Sequence, residues 1–186
     1  MKQMIHLWRA EQVKIRRTPS VWLHLFIPIA ISFLFLWYYG FSQVNFETKW
    51  TAFIQLLAIS FPFMISVVVS IAVDQERQNG FVSLLAGIPN KNTIIAVKIL
   101  RLFCWGTFSL ACSILIFVTG LKLQNQSSND VMYFLISTSI IMLTVLLLYF
   151  VHWFVDLRFS RNYSIALGLV ESLIAAVFMT GLGEGF

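Results

Sequence analysis

The sequence predicts an all-α fold, a polytopic bundle of about five transmembrane helices. Three observations predict it. Hydrophobic residues make up 59% of the 186 and charged residues only 11%, against about 25% charged in an ordinary soluble domain. The mean hydropathy of +0.82 implies more apolar surface than one soluble core of this size can bury. The apolar residues also fall into runs long enough to cross a bilayer, separated by short polar segments.

The spans are expected at residues 21–39, 50–73, 94–121, 131–153 and 164–182. The first two carry no formal charge. The third admits Lys98 and Arg101 in its first turns, and the fifth contains one acid, Glu171. The first run follows about twenty mostly polar and basic residues and is too long for the apolar core of a signal peptide, so it reads as a retained span. The whole chain, 1–186, reads as a single transmembrane domain.

Basic residues set the expected orientation. With the N-terminus on the cytoplasmic side, the inner segments hold Lys2, Arg9, Lys14, Arg16, Arg17, Arg77, Lys91, Lys98, Arg101, Arg158 and Arg161. The outer loops hold only Lys49 and Lys122. Aromatic residues mark the span ends: Trp22, then Trp37, Tyr38 and Tyr39, Trp50, Tyr133, Trp153 and Tyr163. Their amphipathic rings favour the headgroup level. The net charge of +5 is spread over inner loops beside an anionic membrane face, and nucleic acid is not an expected partner.

Two segments lie outside the apolar runs. Residues 1–18 place Ile5, Trp8 and Ile15 on one helical face and most basic residues elsewhere, which suits an interfacial helix. Thr18-Pro19-Ser20 ends it. Residues 74–92, DQERQNGFVSLLAGIPNKN, begin polar and then set Phe81, Leu84, Leu85 and Ile88 at helical spacing, before Gly87 and Pro89 break the pattern. This reads as a short amphipathic helix across the membrane axis, able to meet a soluble partner. An ordinary connecting loop is the alternative.

No catalytic chemistry is legible. No Gly-rich phosphate loop ending in Gly-Lys-Ser/Thr is present, and no His-Glu-x-x-His. The three histidines are scattered without a second metal ligand at useful spacing. Cys104 and Cys112 are about 12 Å apart along one predicted helix, too far for a disulfide. An acid at membrane depth marks a functional site by default, so Glu171 is a candidate for a translocation path. His152, at the inner end of span four, is expected to be an ordinary interfacial histidine. Pro28 and Pro62 interrupt spans and free backbone carbonyls that neighbours must satisfy.

The stretch EQVKIRRTPSVWLHLFIP at 11–28 resembles the start of the membrane subunit of type-2 ABC exporters. Residues 74–91 are similar to the same family's cytoplasmic coupling helix. The likeness covers the chain and extends to the lantibiotic-immunity branch. It implies a permease without an ATP site of its own, so no cofactor in this chain; ATP and Mg belong to a separate ATPase subunit present in two copies. It implies a second permease subunit, as a homo- or heterodimer. It maps ATPase coupling onto Asp74, Gln75, Glu76, Arg77, Gly80, Phe81, Leu84 and Leu85, with Asp74 and Glu76 as the acidic positions. It implies a bacterial plasma-membrane location among membrane lipid, and an antimicrobial peptide (lantibiotic or bacteriocin) as the substrate expelled for self-immunity. The family has a sixth span, preceded by an outer turn that residues 181–186 would begin; the expectation is that this span is missing here. Another hydrophobic cargo, or a non-transporting sensor or scaffold, are the competing readings.

Overall fold

The computed structural model describes residues 20–42, 44–81, 91–125 and 131–179, together with Trp8. The interfacial helix expected at 1–18, Leu84, Leu85 and the turn at 181–186 lie outside the described residues. Among the described residues there are five long helices and no strand: α1 Ser20–Gly40, α2 Phe46–Gln78, α3 Lys91–Leu123, α4 Val131–Arg158 and α5 Arg161–Met179. All five are long and apolar enough to cross a membrane.

α2 is the axis of the bundle. Of its most apolar window, 56% is buried, against 17% for α4 and for α5. It packs on α5, α4 and α1, while α3 packs on α1 and α4. Its inward face carries Trp50, Phe53, Leu57, Phe61, Ile65, Val68, Val69 and Val73. Phe53 stacks on Phe117 of α3 at 4.0 Å between ring centroids. The outer faces of the other helices stay apolar, with Trp37, Leu115, Leu143, Phe154 and Phe178 all exposed. Such a surface would aggregate in water and suits hydrocarbon.

Two helices are longer than their apolar runs. α2 and α3 have 33 residues each, about 50 Å of helix against a hydrocarbon core of about 30 Å. Asn45 starts α2 early, its side-chain oxygen accepting the Thr48 N–H at 3.0 Å. At the far end α2 runs unbroken through Gln75, Glu76 and Arg77 to Gln78. There Gly80 N–H donates to Arg77 O at 3.0 Å and Phe81 N–H to Glu76 O at 2.8 Å. Gly80 takes φ +61°. This pair of bonds is a Schellman stop, and the left-handed position it needs suits glycine. The polar start of the expected amphipathic helix is therefore the last turn of α2.

The span prolines are stitched, not loose. Pro28 cannot donate to the carbonyl of His24, and the Ser109 hydroxyl of α3 donates to that carbonyl instead. Ser32 and Ser113 both donate to Pro28 O, at 2.8 and 3.0 Å. Beside Pro62, the Phe63 N–H donates to Ser172 Oγ of α5 at 3.2 Å. Two expected interfacial tryptophans are instead core: Trp50 donates to Ser137 Oγ at 3.2 Å, and Trp153 is buried against the same core. Trp22, Trp37, Tyr38 and Tyr163 do stay exposed. Lys49 folds back so that Nζ donates to Tyr39 O at 2.8 Å and Ser42 O at 3.0 Å, capping the end of α1.

α5 approaches α2 closely at Gly168. A Cβ there would lie 2.5 Å from Ser66 Oγ and 2.8 Å from Pro62 O. Gly168→Ala must push the helices apart, at a cost of about 1–3 kcal/mol. Thermal unfolding in detergent should fall accordingly, whereas Gly80→Asn, at an open left-handed site, should leave it nearly unchanged.

Candidate functional site

The chemistry of this chain gathers at one end of the bundle, where α2 and α4 finish and α3 and α5 begin. Glu76 and Lys98 face each other there, Lys98 Nζ donating to Glu76 Oε1 at 2.5 Å. Their side chains are 5% and 2% exposed. Glu76, expected at an ATPase-coupling position, is a buried link between α2 and α3. Arg101, one turn beyond Lys98, is buried as well.

A second group joins α2 to α4 and α5. Asp74 accepts from Arg77 Nη1 at 3.0 Å and from Arg161 Nη1 at 3.3 Å. Arg77 Nη2 reaches the Asp156 carbonyl at 3.1 Å and its Oδ1 at 3.5 Å. Asp156 is fully buried; Arg77 and Arg161 are about half exposed, at 40% and 52%. The last turn of α2 is thus tied to three other helices immediately before Gly80. Of the remaining expected coupling residues, Gln75 spends its carbonyl on the Asn79 side-chain amide at 2.8 Å, and Gly80 and Phe81 form the helix stop.

Glu171 does not stand alone, and His152 is not a surface histidine. His152 is fully buried, with Nε2 at 3.0 Å from Glu171 Oε2 and Nδ1 at 3.2 Å from Ser164 Oγ. The Glu171 side chain is 27% exposed. No sequence spacing announces this pair, since 19 residues and a helix reversal separate the two. His24, the other span histidine, is tied down structurally. Its Nδ1–H donates to Ser20 O at 2.9 Å, so Nε2 accepts from the Tyr149 hydroxyl at 2.6 Å. This bond holds α1 against α4. Among the described residues, no cluster of three or more metal-ligating side chains occurs.

On another flank, α1, α2 and α5 enclose an open groove of about 630 Å³. Leu23, Ile27, Ile59, Phe63, Val67 and Leu169 line it. The serines on its wall are already engaged: Ser60 donates to Leu56 O at 2.8 Å and Ser172 accepts from Phe63 N. The groove therefore presents apolar surface only.

Residues 7–178 match the family model described as ABC-2 family transporter protein. The chain belongs to the ABC-2 transporter family. No curated protein and no solved structure shows significant similarity to it. Membership makes this ABC-2 protein a multi-pass membrane permease of an ABC transporter, and implies an ABC ATPase partner and a paired permease. The match spans all five helices.

Breaking the buried pair on one side should cost far more than removing it. Lys98→Met should destabilise the protein by about 3–5 kcal/mol, because it takes a cationic partner away from the buried Glu76 carboxylate. Lys98→Met with Glu76→Met should recover most of that loss, read by unfolding in mixed detergent micelles.

Proposed function

We propose that this ABC-2 permease is the membrane subunit of an exporter with its charged end in the cytoplasm of a bacterium, driven by two copies of a separate ATPase. The observation that carries this reading is the end of α2. A rigid helix stop at Gly80 follows directly on residues bonded to α3, α4 and α5. A push delivered beyond Gly80 would therefore reach three other helices at once. The distribution of Lys and Arg supports the orientation.

The coupling residues sort into two roles under this reading. Phe81, Leu84 and Leu85 contact the ATPase. Asp74, Glu76 and Arg77 hold the lever to the bundle. The permease is paired with a second subunit, identical or related. Its cargo is an amphipathic antimicrobial peptide, a lantibiotic or bacteriocin, which the cell expels to protect itself. The groove between α1, α2 and α5 supports an apolar cargo drawn from the bilayer. Its lack of free polar groups favours a second cargo class, other hydrophobic molecules.

The test is co-expression with the neighbouring genes, detergent pull-down and mass spectrometry. A soluble ABC ATPase should co-purify, and scrambling residues 81–85 should release it. Asp74→Asn should retain it. If the scrambled chain still holds the ATPase, the coupling role of this segment is wrong. In cells, Val67→Trp should fill the groove and lower peptide resistance while leaving the ATPase bound; unchanged resistance would remove the groove from the path.

A further inference from the structure

The Glu171–His152–Ser164 group has features that neither helix packing nor the ATPase lever uses. Glu171 lies ten residues past the start of α5, about 15 Å along its axis. At that depth an unbalanced charge is costly. Carboxyl and imidazole together are neutral only when they share one proton. The hydrogen bonds accommodate the pair both with that proton and without it. With the proton on the carboxyl, Glu171 donates to Nε2 and Nδ1–H donates to Ser164 Oγ. With the carboxylate ionised and the imidazole neutral, Nε2–H donates to Glu171 and Nδ1 accepts the Ser164 O–H. A hydroxyl serves both arrangements because it donates and accepts. A lysine in place of Ser164, a donor only, would suit just the second set of bonds.

Glu171 is also the open member of the group. His152 and Ser164 are fully buried, while the Glu171 side chain is 27% exposed. One carboxyl oxygen is bound to His152, and approach from outside is left to the other. We propose that Glu171 and His152 form an intramembrane site for a protonated amine, with a proton as the resident ligand that the amine displaces.

The exchange balances. The carboxyl O–H bond breaks with its electron pair left on oxygen, and that proton moves onto His152 Nε2 while Nδ1 gives up its own proton through the Ser164 hydroxyl to water at the charged end. The ammonium keeps its protons and donates an N–H to the new carboxylate. Net charge at the site is zero before and after, so no uncompensated charge is left in hydrocarbon. His152 remains neutral and donates Nε2–H. Asp156, one turn on along α4, also bears on His152, and it belongs to a charged group with Asp74 and Arg77 of α2 and Arg161 of α5. Two acids and two arginines cancel, which leaves Glu171 as the carboxyl open to an incoming cation at this depth.

The amine could belong to a diffusing cargo or to a lipid headgroup, and the chemistry is the same. The permease reading bears only on which cargo arrives. Binding is read on this chain without the ATPase, so failure of binding and failure of export are separate results.

The experiment uses the full chain in nanodiscs of phosphatidylcholine, followed by infrared difference spectroscopy and by proton release into weak buffer. Dodecylamine should remove the protonated-carboxyl band and release protons, and dodecanol should do neither. Glu171→Gln keeps the side-chain length and the His152 contact, and should abolish both signals. His152→Gln should leave the band present but shift its frequency, because the carboxyl loses its ring partner. Replacing phosphatidylcholine by phosphatidylethanolamine assigns the amine to lipid if the band is lost without dodecylamine, and to a diffusing cargo if it is not. Equal proton release from the native chain and Glu171→Gln, with both still folded by size-exclusion and thermal melting, would overturn the proposal.

Discussion

Hydrocarbon offers no hydrogen bonds, so each polar group carried into the bilayer must find its partner inside the bundle. The polar side chains of this chain are distributed by that requirement. Serines fill the gaps that prolines leave, and they do so across helices: Ser109 answers the His24 carbonyl, and Ser172 meets the Phe63 N–H. His24 reaches Tyr149 on α4. Each of these bonds also chooses a neighbour, so meeting the requirement sets which helices lie side by side.

The same logic explains the charged end. Lys98 and Glu76 would each be costly alone at 2% and 5% exposure; together they form one short bond between α2 and α3. Arg77 and Asp74 extend the linkage to α4 and α5. The helix that bears these residues is also the most buried of the five. In an ABC-2 permease, which must convert events at an ATPase into movement of spans, a central helix anchored this way is suited to carry force. The attachments to α3, α4 and α5 are concentrated at the residues just before Gly80.

The apolar groove and the Glu171 pair lie on different faces of α5. Leu169 and Ser172 line the groove, whereas Glu171 turns toward His152 on α4. One flank presents apolar surface and the other a carboxyl–imidazole pair. An amphipathic cargo has both characters, and α5 is the helix that separates the two surfaces.

Much of this was legible in the sequence. The five spans, the exposed rings at Trp22, Trp37 and Tyr163, and the family resemblance were all readable, because hydropathy and length act locally along the chain. The stop at Gly80 was not readable, since the legible breakers were Gly87 and Pro89: a polar run after an apolar one looks like a loop until the helix is seen to continue through it. Pairings were not readable. Glu76 with Lys98 and His152 with Glu171 depend on which helix faces which, and apolar periodicity is weak where lipid and core are both apolar. Trp50 and Trp153 show the same limit, since their chemistry suits the interface and only packing buries them. The sequence alone determined that this chain crosses a membrane and roughly where, since each span meets the lipid on its own. The tertiary structure decided which polar groups meet, because only helix against helix supplies the partners that hydrocarbon withholds.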